Sequence, residues 1–221
     1  MNRAKVFILA VTVLTLVLLS GIGCLIGLMP APPQRQDSVP SVDIPGYMTY
    51  YDKSAIFSIS YPEGWEAERY EGRTFGWNTT AKEGLSRLQQ GLPVQSHYTL
   101  FNAYKWVKYE IVASVYINLD GVFMGNPHYS IDEEMESRKR THPDFTELSR
   151  TQTTVDGREA TVWEWMGTFP EAHEQTPSYH FEQYIATDKA IWIVKCSGDS
   201  DNVTEWQNDF DTIARSLRIS E

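Results

Sequence analysis

Alternation of apolar and polar residues marks six β-strands along the chain. They are predicted at residues 55–61, 110–119, 146–155, 158–167, 180–187 and 190–197. A Pro-Glu-Gly sequence at 62–64 ends the first, whereas the dipeptides at 156–157 and 188–189 divide the last four strands into pairs. The first of these dipeptides is Asp-Gly, which is preferred in two-residue hairpin turns whose central residues need φ above zero. We therefore predict that the last four strands form two neighbouring hairpins.

A helix is predicted over residues 130–140. Ser130 and Glu133 have the spacing of a capping box at its start, and Pro143 follows its end. Two i,i+4 ion pairs are expected on its solvated face, Glu134 with Arg138 and Glu136 with Arg140.

A second helix is predicted at the C-terminus. Asn202 and Glu205 are expected to cap it, and its apolar residues fall on one face. This stripe consists of Val203, Trp206, Phe210, Ile213 and Leu217. Residues 81–90 predict a third, short helix that is weakened by Gly84. Strands grouped in hairpins, with helices between them, indicate an α+β fold with a mostly antiparallel sheet.

The N-terminal 29 residues resemble a membrane anchor. Residues 6–29 form an apolar run of 24 residues without a formal charge. As a helix this run would span about 36 Å, more than the roughly 30 Å of a hydrocarbon core. The length favours a retained transmembrane helix over a cleaved signal, whose apolar region has about 7–15 residues. Because Arg3 and Lys5 precede the run, we expect a cytoplasmic N-terminus and an extracytoplasmic domain at the cell membrane.

Cys24 leaves a second interpretation of this segment open. The sequence LSGIGC at residues 19–24 is similar to the lipobox of bacterial lipoproteins, whose cysteine is acylated after the upstream peptide is removed. Gly21 stands where that motif usually has Leu, and the residues after Cys24 are still apolar. Cleavage as an ordinary secretory signal is a third alternative. All three place the domain outside the cytoplasm.

Composition adds a stalk and an acidic domain to this picture. Residues 30–46 contain five of the 11 prolines and are expected to form an extended stalk, which leaves residues 47–221 as one domain. The chain has 19 Lys and Arg against 29 Asp and Glu, and three of the basic residues but no acidic residue precede position 37. The remainder, with 16 against 29, therefore carries a net charge of −13. A surface this acidic argues against nucleic acid or anionic lipid as its ligand.

Three segments of the domain form a recognisable pattern: FSISYPEGWE at 57–66, with Tyr-Pro-x-x-Trp, TVDGREATVWEW at 154–165 and NDFDTIARSLRIS at 208–220. Together they resemble the PsbP-like superfamily, which also contains the Ran-release factor of eukaryotes. The resemblance covers about residues 50–220, and residues 72–109 fit it least well. It implies an α/β/α sandwich whose central antiparallel sheet is covered by helices. Its characterised members are accessory or binding proteins that share no catalytic motif, so it implies no catalytic residue and no cofactor.

Two groups of polar residues could in principle bind a metal. One consists of His173 and His180 with Glu171, Glu174 and Glu182. We favour a polar loop that leads into a strand, on which His180 and Glu182 share a face. Asp199 and Asp201 have the spacing of the first two ligands of a calcium loop, but the third position is apolar and helix capping explains them. Cys196 is expected to be a buried apolar residue.

Trp163 and Trp165 are the candidate partner-binding residues. Both point to the same side of the strand at 158–167, beside Thr161 and Glu159, which predicts a semi-exposed patch. The alternative is that the C-terminal helix covers both indoles. We expect a non-catalytic, membrane-tethered binding or accessory domain whose partner is another envelope protein. A small-ligand or metal carrier and a cell-envelope hydrolase are the alternatives, although the sequence has no nucleophile elbow, phosphate-binding glycine loop or HExxH motif.

Overall fold

A computed structural model describes residues 42–69, 81–121, 131–142, 144–168 and 177–220. The predicted membrane anchor with Cys24, and most of the predicted stalk, lie outside these residues. So do Ser130 and Pro143, the predicted boundary residues of the first helix. None of the helices that the structure describes is long and apolar enough to span a membrane.

The described residues form strands and helices in an order that follows the sequence prediction. In chain order the elements are β1 (Tyr47–Tyr51), β2 (Phe57–Pro62), β3 (Glu66–Arg69), α1 (Ala81–Gln89), β4 (Tyr98–Val107), β5 (Glu110–Gly121), α2 (Ile131–Thr141), β6 (Thr146–Val155), β7 (Arg158–Gly167), β8 (Ser178–Ala186), β9 (Ala190–Asp199), α3 (Val203–Ser216) and β10 (Arg218–Ile219). All six predicted strands and all three predicted helices are confirmed, whereas β1, β3, β4 and β10 were not predicted.

A seven-stranded antiparallel sheet forms the centre of the domain. Its strand order is β3-β4-β5-β9-β8-β7-β6, so the two predicted hairpins, β6–β7 and β8–β9, are neighbours as expected. Asp156 and Gly157 have φ values of 52° and 75°, as a two-residue hairpin turn requires. The second turn is closed by a 2.8 Å bond from Thr187 N to Ala190 O, and its central residues have no positive φ. The two hairpins therefore turn in different ways.

A second, three-stranded sheet has the order β1-β2-β10. Here β2 is central, because it pairs with β1 on one side and with the C-terminal strand on the other. The predicted central antiparallel sheet is therefore accompanied by a separate small sheet that was not predicted. The physical reason is that β2 packs its buried side chains against the first core instead of joining the edge of the large sheet.

Two apolar cores lie on opposite faces of the large sheet. The first core fills the space between the sheet and a layer made of the small sheet, α1 and α3. The second core consists of Trp163, Trp165, Tyr184, Ile191 and Ile193, with Met135 of α2 packed against it. Helices therefore lie against both faces, and the predicted α+β fold with a mostly antiparallel sheet is confirmed.

The C-terminal helix α3 buries the face that its sequence predicts. Trp206 and Phe210 are buried and stack with ring centroids 5.9 Å apart. The predicted cap is wrong, because the side chain of Asn202 makes no capping bond. Instead, Asp199 accepts a bond from the backbone N of Asn202, at 3.1 Å, in the short 3₁₀ turn before α3.

Gly84 is required for the packing of α1, although glycine has a low helix propensity. A Cβ at this position would lie 2.8 Å from Cδ2 of Tyr98, closer than atoms can pack. The absence of a side chain therefore lets α1 approach β4 and bury Leu85 and Leu88 in the first core.

Candidate functional site

A buried carboxylate is the centre of the most polar group of side chains inside the domain. Glu182 on β8 is only 2% exposed, and it lies on the sheet face that α2 covers. Its Oε1 accepts a 3.2 Å bond from Trp165 Nε1, and its Oε2 accepts a short bond from the Tyr184 hydroxyl. Two cations flank it, with Arg138 Nη2 at 3.9 Å and Lys195 Nζ at 3.8 Å. We call these five residues the Glu182 cluster.

The position of Arg138 differs from the sequence prediction. Its side chain is 20% exposed and faces Glu182, with the guanidinium 5.5 Å from the ring centroid of Trp165. Arg138 therefore does not lie on a solvated face as predicted, and its predicted partner Glu134 is not among the side chains that the structure describes. The predicted pairing of Glu136 is also different, since its carboxylate binds Lys139 at 2.9 Å. Arg138 turns inward because a buried carboxylate needs a neighbouring cation.

Two histidines border the Glu182 cluster. His180 stacks on Trp165 with ring centroids 3.8 Å apart, and His142 meets the same indole edge-on at 5.3 Å. Burial lowers the pKa of His180 to about 3, and the charges of Arg138, His142 and Lys195 act in the same direction. Burial, followed by the charge of Arg138, also lowers the pKa of His142. His180 is therefore a neutral, stacked ring at neutral pH.

The chemistry of this cluster is structural. Both oxygens of Glu182 are engaged by donors from the protein itself, and the surrounding side chains close the site to solvent. A buried carboxylate that is hydrogen-bonded and flanked by cations fixes the positions of its neighbours, and removal of one partner typically costs about 3–5 kcal/mol. The cluster thus ties α2 to the sheet.

The first of the two candidate metal groups is only partly within the described residues. His173, Glu171 and Glu174 lie outside them, whereas His180 and Glu182 share a buried face as predicted. In the ranges that the structure describes, no three side chains of His, Cys, Asp or Glu could hold a metal ion together. Asp199 of the considered calcium loop instead accepts bonds from Asn202 and from Trp206 Nε1, at 3.3 Å.

The two candidate partner-binding tryptophans are core residues. Trp163 and Trp165 are both 0% exposed, which corrects the expected semi-exposed patch. They do share a face of β7, as predicted, but α3 does not cover them. Their cover comes from Met135 on α2 and from Phe145, whose ring centroid lies 5.9 Å from that of Trp163. The alternation of side chains along the strand predicted their shared face correctly, but it does not specify which element covers that face.

Cys196 is the buried apolar residue that the sequence predicts. It is a free cysteine, 2% exposed, within the first core. Burial raises the pKa of its thiol, with Glu182 acting in the same direction. A thiol with a raised pKa is a poor nucleophile, so Cys196 has a packing role.

One exposed surface that the sequence reasoning missed is the outer edge of β6. This strand ends the order of the large sheet, and seven of its ten residues are exposed. Its side chains are mostly polar, with three threonines among residues 151–154. The outward-facing backbone N–H and C=O groups of an edge strand are available for pairing with another chain.

A second missed surface is the tip of the β4–β5 hairpin. Four large apolar side chains are exposed there: Trp106, Val107, Tyr109 and Ile111. The two turn residues, Lys108 and Tyr109, have φ values of 50° and 74°. The signal in the sequence was Trp-Val-Lys-Tyr-Glu-Ile at 106–111, an apolar segment just before the predicted strand at 110–119.

Comparison with known proteins supports the fold. No protein-family model matches the sequence, and no curated protein matches it. The solution structure of cyanobacterial PsbP (CyanoP) from Synechocystis sp. PCC 6803 matches with a TM-score of 0.52 and 12% identity, over 88% of this chain and 99% of that chain. The domain has the PsbP-like fold.

Two further solved structures are similar to this PsbP-like domain. LpqN of Mycobacterium tuberculosis, described as involved in cell envelope biogenesis, has a TM-score of 0.48 at 6% identity, over 79% of this chain and 91% of LpqN. The Ran-binding protein Mog1p of Saccharomyces cerevisiae has a TM-score of 0.45 at 6% identity, over 78% of this chain and 95% of Mog1p. At these identities the likeness concerns the fold alone.

Proposed function

We propose that this chain is a non-catalytic accessory protein of the cell envelope, in which an N-terminal anchor holds a PsbP-like domain outside the cytoplasm to bind another envelope protein. Two properties of the sequence support the location, the 24-residue apolar run and the proline-rich stalk that follows it. The binding role rests on one observation: among the described strands, none pairs with the outer edge of β6.

The edge of β6 suits the addition of an extended segment from a partner. From residue 149 to 155 the strand is regular, because its single bulge lies between Glu147 and Ser149. Added strands gain affinity from main-chain hydrogen bonds, and the side chains of the partner then determine specificity. An edge of this length offers several such bonds in one row.

The hairpin register identifies the backbone groups that face outward. Val155 and Arg158 flank the two-residue turn and form a hydrogen-bonded pair, and such pairs alternate along an antiparallel ladder. Thr153 is therefore bonded to Ala160 of β7, whereas the backbone of Gln152 faces the free edge. A proline at position 152 removes an outward N–H and leaves the β6–β7 ladder intact.

Cross-linking and co-purification from native membranes test this proposal. Gln152→Pro should retain the fold but lose the partner that the natural chain recovers, because its outward N–H is missing. Gln152→Thr is the matched control, since it changes the same side chain and keeps the N–H, and it should recover the partner. Equal recovery by Gln152→Pro, with an unchanged melting temperature, would refute strand addition at β6.

A further inference from the structure

The end of the β4–β5 hairpin projects beyond the large sheet. On one side, pairing of β4 with β3 ends at Tyr104, and on the other side pairing of β5 with β9 ends at Ala113. Residues 105–112 therefore form a two-stranded ribbon beyond the neighbouring strands, with Lys105 and Val112 at its base in contact with the domain. We call this segment the ribbon.

The ribbon holds an unusual share of the exposed apolar surface. Four of the eight large apolar side chains that are exposed in the described residues belong to it, and Tyr109 at its tip is 99% exposed. An ordinary hairpin tip is polar, because exposed apolar groups gain nothing in water. Concentrated apolar side chains on a soluble surface mark a contact site.

The base of the ribbon is held firmly against the domain. Lys105 Nζ lies 2.9 Å from Glu205 Oε1 and 4.5 Å from the ring centroid of Trp206. The ring of Trp106 also meets that of Tyr104, with centroids 6.4 Å apart. These contacts fix the base of the ribbon, and the side chains at its tip remain exposed.

The residue types at the tip match the interface of a lipid bilayer. Trp and Tyr are enriched where headgroups meet the hydrocarbon region, because each ring has an apolar body and a polar group. Trp106, Tyr109 and Ile111 provide two such rings and an aliphatic side chain. Lys108 and Glu110 balance each other in charge, so a zwitterionic surface does not repel this tip even though the domain as a whole is acidic.

The described chain starts at Val42, whose carbonyl O accepts a 3.5 Å bond from Ser60 Oγ, and four residues later it passes the same end of the domain. Gly46 O accepts a 2.9 Å bond from Glu63 N, and three residues later Glu66 pairs with Tyr104 at the base of the ribbon. Lys108 is four residues beyond Tyr104, so the tip projects about 13 Å past this point at roughly 3.3 Å per strand residue. The twelve residues 30–41 reach at most about 37 Å in an extended proline-rich conformation, close to the diameter of a domain of this size. A tether of this length is compatible with the ribbon tip reaching the bilayer.

We infer that the ribbon tip inserts into the zwitterionic headgroup interface of the membrane to which the chain is tethered. This contact rests on the proposed anchor, and it sets the orientation of the domain. The ribbon adds a second, weak attachment, and the tether makes it effective by keeping the tip at a high local concentration next to the lipid.

Photocross-linking of the full chain in phosphatidylcholine vesicles tests the inference. A benzoylphenylalanine replaces Tyr109 in one preparation, and Leu148 on β6 in the control, since Leu148 is also an exposed apolar residue. Mass spectrometry then measures lipid adducts at each position. Because the inference places only the tip in the headgroup region, we expect roughly tenfold more lipid adduct at position 109 than at position 148.

The other outcomes separate this inference from the proposed anchor. If the chain floats with the vesicles but position 109 yields no more lipid adduct than position 148, the ribbon contact is wrong and the anchor stands. If position 109 cross-links to a second copy of the chain instead, the tip is a self-association surface and the inference is overturned. If the chain does not float at all, the proposed anchor is wrong, and the ribbon contact fails with it.

Discussion

Because His180 is buried as a neutral ring, we predict that lowering the pH reduces the free energy of unfolding of this domain. Folding holds its pKa at about 3, because the side chain is buried and faces the cations of Arg138 and Lys195 as well as His142. In the unfolded chain a histidine has a pKa of about 6.5. Between these two values the unfolded state binds a proton that the folded state does not, so stability is lost as the pH falls below about 6.5.

The expected size of this effect follows from the two pKa values. From pH 7 to pH 5, protonation of the unfolded chain lowers the free energy of unfolding by about 2 kcal/mol, at 1.36 kcal/mol per pKa unit. The loss continues towards pH 3 and ends there, when the folded state also takes up the proton. Because domains are typically stable by only about 5–15 kcal/mol, this change is large enough to measure.

Urea unfolding of the full chain in detergent, followed by tryptophan fluorescence, measures the effect. His180→Phe keeps a ring against Trp165 but cannot titrate, so its stability should fall by about 2 kcal/mol less than that of the natural chain between pH 7 and pH 5. Trp163→Phe is the control, because it disturbs the same buried face without removing a titratable group. It should lower stability equally at both pH values.

The comparison between variants isolates His180 from the other titrating groups. His142 acts in the same direction, since burial also lowers its pKa, whereas burial raises the pKa of Asp52 and acts in the opposite sense. Both contributions are present in the natural chain and in His180→Phe. An unchanged pH dependence in His180→Phe would refute the claim that this ring is neutral because of burial.

Two further predictions concern the packing of α3 and the state of the N-terminus. A Cβ at Gly198 would lie 2.5 Å from Cδ1 of Trp206, so Gly198→Ala should lower the free energy of unfolding by about 1–3 kcal/mol, and by much less in a Trp206→Leu background. Equal losses in the two backgrounds would contradict that contact. Mass spectrometry of the chain purified from membranes should find an N-terminus at Met1 or Asn2, because residues 6–29 are long enough to remain as an anchor. An acylated Cys24 at the N-terminus would establish the lipoprotein alternative instead.

Most of the large sheet was predictable because local signals agree with the tertiary structure. In β6 and β7 the strand bounds, the turn residues and the two faces all follow from alternation around Asp156-Gly157. The stripe of α3 was equally clear, since a 3.6-residue period fixes which side chains are buried. Resemblance to the PsbP-like superfamily added the layered arrangement, which no local pattern specifies.

The unpredicted strands depend on contacts that are distant in sequence. The strand β10 is only two residues long and exists because it pairs with β2, about 160 positions earlier. In β4, a register irregularity between Thr99 and Phe101 interrupts the alternation that would have marked the strand. Short strands and irregular strands therefore carry too little local pattern, even when their side chains are fully buried.

The tryptophan pair shows the same limit at the candidate site. Alternation placed Trp163 and Trp165 on one face, but the sequence assigned their cover to the wrong helix. The reason is that α2 was expected to be solvated because of its many charges, whereas Arg138 turns its charge inward to Glu182. A charged helix can cover a core when the sheet beneath it supplies a buried counter-charge.

The two proposed surfaces lie far enough apart to act independently. In the strand order of the large sheet, four strand spacings separate β5, which carries the ribbon, from the edge strand β6. At about 4.8 Å per spacing this is roughly 19 Å, beyond the range over which mutational effects usually couple. A segment paired with β6 would therefore leave the ribbon free for the bilayer. For the same reason, Gln152→Pro should leave the lipid adduct at position 109 unchanged, so the failure of either proposal does not decide the other.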